Sequence, residues 1–571
     1  MNKKIETLSL CTASFLIGAE VDLGKVAVTA NGVTSKVENI SNEELKSADL
    51  AEALAKNSAS VSLIRRSGIA NDIIVRGQKK DNIAVDIDGC CIAGACPNRM
   101  DPPTSHIVTN NVENVEIIGG PYDVESFGAL SAKVKIKTKE PKEGLNGEID
   151  LNAGTFGYKK AAASVSGGDS TIRVLVSGST ESSEQYEDGN GKTLAEQLDK
   201  KLGSTTNAQS YRNKSMDAFE KKTATAKIFV NPTDNSELRF GYMANRSDDI
   251  LYPSTAMDAI YDDSNVLSFG ATVKNLSDFS KELKIDTYKS DVQHLMSTKY
   301  RTNANPLAYM DAYVETEMSG IKIKNSFDAG LHKIDLGIDT SDRNWNGYKV
   351  HSINGYTGAT AGMTDAAFMP DVDTKNKALF GKTSVDLGDV NIEAGARYDS
   401  TNIKANKQAK SMNALADKDK DYNAFSINVL ATVKARNDLK YFAGVGKSSR
   451  VPDAKELYQG TNVMGDLEQT TNKEIDLGVD FNTGNFGVKT KLFHSTLSDY
   501  IYYQTLTAST GKYVNTDAKI YGLELSGYQT LSDTLSLDFG LNYQKGKKDA
   551  LSITNDYTYM AYITHLKANV S

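Results

Sequence analysis

From about residue 144 onward, single apolar and polar residues alternate over one segment after another. Ile475, Leu477, Val479 and Phe481 interleave with Glu474, Asp476, Gly478 and Asp480. Leu535, Leu537, Phe539, Leu541 and Tyr543 interleave with Ser536, Asp538, Gly540 and Asn542, and Ile334, Leu336 and Ile338 follow the same rule. Period two predicts β-strands with one apolar and one polar face. The connections are unequal. Asn231–Asn235, Ala435–Asp438 and Leu531–Thr534 are short, whereas Glu181–Asp217 and Ser341–Lys375 are long and polar. Short turns at one end and long loops at the other predict a transmembrane β-barrel, an asymmetry for which a soluble sandwich has no reason. At roughly 20 residues per strand and loop, residues 144–571 supply on the order of 20 strands.

The N-terminal quarter has a different texture. Residues 1–19 read as a secretion signal, with basic Met1-Asn2-Lys3-Lys4, an apolar Leu8–Ala19 and a small-residue exit at Gly18-Ala19. Residues 20–41 form a polar, irregular lead-in. Residues 42–143 read as a compact α+β domain. Asn42–Lys56 has helical spacing, with Leu45, Leu50, Ala51, Leu54 and Ala55 on one side, and short strands follow at Ile73–Gly77, Ile83–Ile87, Val112–Ile118 and Ala132–Thr138. At the other end, Leu566–Ser571 stops inside an apparent strand, so the barrel of residues 144–571 is expected to be C-terminally incomplete.

Composition narrows this picture in three ways. No stretch of about 18 apolar residues follows the N-terminus, which excludes ordinary membrane-spanning helices but not a barrel. The net charge of −8 speaks against nucleic acid as a partner. Tyr is abundant (27) and Trp scarce (1), which fits interfacial girdles made mainly of Tyr. No P-loop, dinucleotide fingerprint, His-Glu-x-x-His or Gly-x-Ser-x-Gly occurs, and an enzyme is not expected.

The candidate chemistry lies in two distant segments, Cys96-Pro97-Asn98-Arg99-Met100 and His294-Leu295-Met296. On a strand, His294 and Met296 share one face, about 6–7 Å apart. One thiolate, two thioethers and one imidazole suit copper, above all Cu(I), and discriminate against oxygen-seeking ions. After removal of Cys11 with the signal, Cys90, Cys91 and Cys96 remain. A Cys90–Cys96 or Cys91–Cys96 disulfide and a free Cys96 are both open. Met257, Met363 and Met369 fall in expected outer loops, with packing favoured over ion transfer as their role.

The order of signal, lead-in, small domain and large barrel resembles the TonB-dependent outer-membrane receptors. Val26-Ala27-Val28-Thr29-Ala30 is similar to a TonB box, the segment gripped by strand addition. Ile74-Val75-Arg76-Gly77 and Val115-Glu116-Ile117-Ile118-Gly119-Gly120-Pro121 resemble plug signatures of the family. Arg450-Val451-Pro452-Asp453-Ala454-Lys455-Glu456-Leu457-Tyr458 and Tyr521-Gly522-Leu523-Glu524 resemble its barrel motifs. Gly94–Thr104 is similar to the plug loop of the copper-receptor subfamily of NosA and OprC type. The resemblance implies a barrel of about 22 strands when complete, with residues 42–143 as a plug inside it. It implies the outer membrane of a Gram-negative bacterium, with lipid around the barrel and TonB and its inner-membrane complex as energy source. It also implies Cys96, Met100, His294 and Met296 as ligands of a transported copper ion. Cys90 and Cys91 stand outside that pattern. Two rivals remain: a receptor for a siderophore or other metal chelate, and an outer-membrane binding or adhesion protein whose metal is incidental.

Overall fold

A computed structural model describes residues 27–38, 49–107, 109–203, 210–302, 309–351, 367–407, 418–458, 466–505, 511–532, 535–549 and 566–570. The predicted secretion signal, Val26 and Met363 lie outside them.

Eighteen strands, from Asn146–Ala153 to Leu566–Val570, pair antiparallel in sequence order into one sheet. That compares with about 22 for the complete fold implied by the resemblance, and among the described residues no ladder joins the first strand to the last. The face assignment is the reverse of a soluble protein's. Ile475 and Leu477 are 55% and 52% exposed, whereas Glu474 and Asp476 are 2% and 0%. Apolar side chains thus face outward and carboxylates inward, as a barrel in lipid requires. No described helix is long and apolar enough to cross a membrane.

The long loops are shorter than their composition predicts. Ser341–His351 and Ala367–Lys375 belong to the strands His332–His351 and Ala367–Asp386, whose ladder continues through Asn344↔Asp373 and Trp345↔Val372. Strands that extend past the bilayer meet water outside and lumen inside, so polarity there does not signal a loop. The Glu181–Asp217 stretch carries a helix, Leu194–Leu202, opened by a reciprocal cap between Thr193 and Glu196 and ended by Gly203 at φ 75°.

The plug forms two small sheets. One runs in the order 27–31, 34–38, 112–119, 132–138, 83–87, 90–91, and the other joins 61–64, 72–75 and 78–79. Helix Leu50–Asn57 buries Leu50, Ala51, Ala53 and Leu54 and is capped by the Asp49 carboxylate, which accepts from Glu52 N–H. The lead-in is more ordered than predicted. Ala27–Asn31 pairs with Thr34–Glu38 as a hairpin, and this hairpin adds to the plug sheet through Thr34–Glu38 against Asn114–Ile118. Ala27–Asn31 is therefore the sheet's edge strand.

The two plug signatures meet. Arg76 (φ 50°) extends over Gly119 and Gly120, where a Cβ on Gly119 would lie 2.9 Å from its Nε. The fully buried guanidinium then enters the barrel wall. It pairs with Glu474, lies 2.9 Å from Asp476 and 3.2 Å from Glu524, and stacks 4.6 Å from the Phe493 ring. Glu524 belongs to the Tyr521–Glu524 barrel motif, so the signatures from both domains build one buried ion cluster.

Candidate metal centre

The plug loop carrying Cys96 is shaped by its own sequence. The Asp101 carboxylate turns back and accepts the backbone N–H of Ala95 and that of Cys96, the latter at 2.9 Å. Cys96 C=O accepts from Arg99 N–H at 2.8 Å, with Arg99 in the left-handed region at φ 55°. Gly94 is required for this closure, because a Cβ there would stand 2.3 Å from the Asp101 carbonyl oxygen. These bonds immobilise the Cys96 backbone and so aim its thiol.

The barrel holds the same loop through its carbonyls. Ser290 Oγ donates to Cys91 C=O (3.1 Å), Thr316 Oγ1 to Ala93 C=O (2.5 Å) and Trp345 Nε1 to Ala95 C=O (2.8 Å). Lys455 Nζ, from the short helix Ala454–Tyr458, donates to Pro97 C=O, and Tyr252 Oη donates to Met100 C=O at 2.6 Å. Five donors from different barrel elements thus take five plug carbonyls, each bond contributing about 1 kcal/mol net. Burial pushes the Lys455 ammonium down to about 7, with the Lys80 charge adding to the effect.

His294 and Met296 project from the strand Ser280–Ser297 into the lumen. Met296 lies opposite Ala259 on one neighbouring strand and Ala312 on the other. These small partners leave space for the plug loop. Above them, Asp258 is held by Arg301 at 2.6 and 2.7 Å and by Tyr211 Oη at 2.7 Å, and it accepts Tyr252 N–H at 2.8 Å. This network seats Tyr252, and hence Met100, from the roof.

The four residues singled out in the sequence come together. Cys96, Met100 and Met296 share one buried apolar cluster with Ile69, Phe219 and Tyr252. His294 is fully buried, two residues before Met296 on the same face of the strand Ser280–Ser297. Cys90, Cys91 and Cys96 are all free thiols, so neither disulfide is formed. Met257 packs against this cluster, and Met369 is buried on a strand among Trp345, Val372 and Tyr458 rather than in a loop.

Three further side chains, not selected from the sequence, adjoin the site. Asp262 is the cross-strand partner of His294, with Oδ1 3.5 Å from His294 Nδ1. Asp262 Oδ2 lies 3.9 Å from Nδ1 of His106, on the plug turn Pro103–His106. Asp101, His106 and Asp262 each offer a ligand atom within 4.8 Å of the others. Both ring nitrogens of His106 and of His294 are buried without a hydrogen bond of normal geometry. Each such orphan costs about 1–3 kcal/mol, and a cation would give them a partner. Burial raises the Asp101 carboxyl above its usual range, while the neighbouring His294 imidazole pulls the other way. One signal for His106 was available, since the chain has only six His and this one follows the Cys96 loop closely. Asp262 had none, because only strand register brings it to His294.

The family described as TonB dependent receptor-like, beta-barrel matches residues 181–571, and the TonB-dependent Receptor Plug Domain matches residues 29–132. No curated relative matches by sequence. Among solved structures, the chain is similar to the copper transporter OprC, with TM-score 0.80 and 20% identity over 91% of this chain and 80% of that one. It is also similar to the siderophore receptor PirA from Acinetobacter baumannii, with TM-score 0.69 and 13% identity over 94% and 83% of the two chains. A third is the FrpB iron transporter from Neisseria meningitidis, with TM-score 0.66 and 14% identity over 89% and 79%. At these identities the likeness is one of fold.

Proposed function

Because the chain belongs to the TonB-dependent receptors, transporters of the Gram-negative outer membrane, we propose that its cargo is copper, taken as Cu(I) between plug and barrel. The observation that carries this reading is the convergence of free Cys96 and Met100 from the plug with Met296 and His294 from the barrel. Two thioethers, a thiolate and an imidazole in a dry pocket favour a soft monovalent ion and would be unusual for zinc. Each domain supplies half the ligands, so displacing the plug separates them and frees the ion. Binding and release are thereby tied to one movement.

Energy enters through Val26–Ala30 as a TonB box. Ala27–Asn31 is an edge strand, and an edge strand offers unpaired backbone groups for strand addition by a partner. Val28→Pro removes one N–H and fixes φ. Purified Val28→Pro protein is expected to bind copper like the parent, while copper uptake by cells carrying it falls to the level of cells lacking TonB. Full uptake by this variant would remove the segment from the mechanism.

A second reading has one observation in its favour. A cavity of about 1140 Å³ borders the plug loop; its lining mixes cations with carboxylates such as Asp81 and Asp453, but includes Lys79, Lys80, Arg343, Trp345 and Tyr503, basic and aromatic groups that could hold an anionic metal chelate. Metal loading separates the two. Full-length protein in detergent, stripped and then offered Ag(I) or Cu(I) under reductant, is expected to keep about one soft ion per chain after desalting. Retention of ferric siderophore but of no soft ion would replace copper by the chelate.

A further inference from the structure

We propose that Asp101, His106 and Asp262 form a second cation site, built of nitrogen and oxygen donors, that takes a borderline divalent transition ion beside the sulfur-rich one. The three offer ligand atoms within 4.8 Å of one another. His106 is more than nine-tenths buried, and neither of its ring nitrogens has a hydrogen-bond partner, nor does Asp262 Oδ1. A buried carboxylate flanked by two imidazoles, 3.9 and 3.5 Å away, with several unpartnered donor and acceptor atoms, is an arrangement that a coordinated cation would satisfy.

Donor chemistry selects the ion class. Two carboxylates and an imidazole supply the negative charge that a divalent ion needs and the nitrogen that Mg²⁺ and Ca²⁺ do not seek. No sulfur is in the set, so Cu(I) and Ag(I) are not favoured there. Zn²⁺ and Cu²⁺ fit both the donor types and a compact shell of three protein ligands plus one more. Asp101 and His106 belong to the plug and Asp262 to the barrel. This site is therefore also split between the domains and would come apart with the first. Asp262 joins the two, because the same carboxylate touches His294. The geometry does not depend on the copper reading, although it adds to it a place where a divalent ion can wait next to the soft site.

The alternative is that Asp262 only orients His294 and that one ion binds in all. Full-length protein in detergent, stripped with chelator, is reloaded separately with Zn²⁺ and with Ag(I), and retained metal is measured after desalting. The parent is expected to keep about one Zn²⁺ in addition to one Ag(I). His106→Gln and Asp262→Asn are expected to weaken Zn²⁺ binding by at least about 10–100-fold, with His106→Gln keeping its Ag(I), which also certifies its fold. Cys96→Ser is expected to show the reverse. Should His106→Gln lose both ions, the Cu²⁺-loaded parent decides: nitrogen coupling in its electron paramagnetic resonance spectrum, with no thiolate charge-transfer band in its absorption spectrum, supports the site, and a thiolate band overturns it. A parent that keeps no divalent ion, or a Zn²⁺ that disappears with Cys96→Ser but not with His106→Gln, overturns the proposal. Zn²⁺ without Ag(I) leaves this site standing and removes the copper reading, and Ag(I) without Zn²⁺ does the opposite.

Discussion

Cys96→Ser is expected to lower Ag(I) or Cu(I) affinity by at least ~100-fold, or about 2.7 kcal/mol. A hydroxyl replaces the one anionic soft donor, and a hard neutral oxygen has little affinity for these ions. The substitution removes little volume, and the Cys96 backbone stays held by the Asp101 carboxylate, so the loop should keep its shape. Met100→Leu and Met296→Leu preserve apolar bulk while deleting a thioether, and are expected to cost less than the thiol, about tenfold each. His294→Gln belongs with the larger losses, because it removes the nitrogen donor. Isothermal titration in detergent, with barrel integrity followed by heat-modifiable gel mobility, reads both effects. Four variants that bind Ag(I) like the parent would end the site assignment.

The second large effect is expected at Arg76. Its guanidinium is the cation shared by Glu474, Asp476 and Glu524, all inside the protein. Lys491 offsets Glu524 at 2.6 Å, but among the described residues the partners of Glu474 and Asp476 besides Arg76 are neutral, with Ser495 and Asn472 donating to Glu474 and Tyr122 to Asp476. Arg76→Met keeps length and apolar stem and strands those carboxylates. Breaking one side of a buried ion cluster costs roughly 3–5 kcal/mol. The barrel ladder does not depend on Arg76, so the loss should fall on plug docking. Limited proteolysis is expected to cut the plug of Arg76→Met at urea concentrations where the parent resists, with the barrel intact in both. Adding Asp476→Asn is expected to restore part of the resistance by removing one stranded charge. Equal protease resistance in parent and Arg76→Met would show that this cluster does not hold the plug. This cluster and the five carbonyl bonds to loop 91–100 are polar contacts that a displacement of the plug against the barrel would break.

Period-two alternation was enough to read the barrel, because inward carboxylates such as Glu474, Asp476 and Glu524 are each followed by an aliphatic residue, Ile475, Leu477 and Leu525, and lipid and lumen demand that difference along the membrane-crossing part of a strand. The soft donors were legible for a similar reason: Cys96, Met100, His294 and Met296 are defined by atom type, and His-x-Met spacing places two of them on one strand face. Loop boundaries were not, since Ser341–His351 is strand that meets the plug through Trp345 and, among its described side chains, has only Trp345 and Val350 as large buried apolar ones, too few to announce a stripe. The lead-in hairpin was also hidden, because Ala27–Asn31 becomes a strand only by pairing with Thr34–Glu38 and, through it, the plug sheet. Whether Cys96 was free could not be read from a count of three cysteines. It depended on where the 90–91 strand and the loop after Gly94 hold their sulfurs. Asp262 and His106 mark the limit most clearly. The sequence by itself determined the barrel, the plug and the candidate soft donors, because these follow from local periodicity and chemistry. Only the tertiary structure decided what surrounds those side chains, because Asp262 reaches His294 through strand register and His106 reaches Asp262 through plug docking, and both relations join residues far apart in the chain.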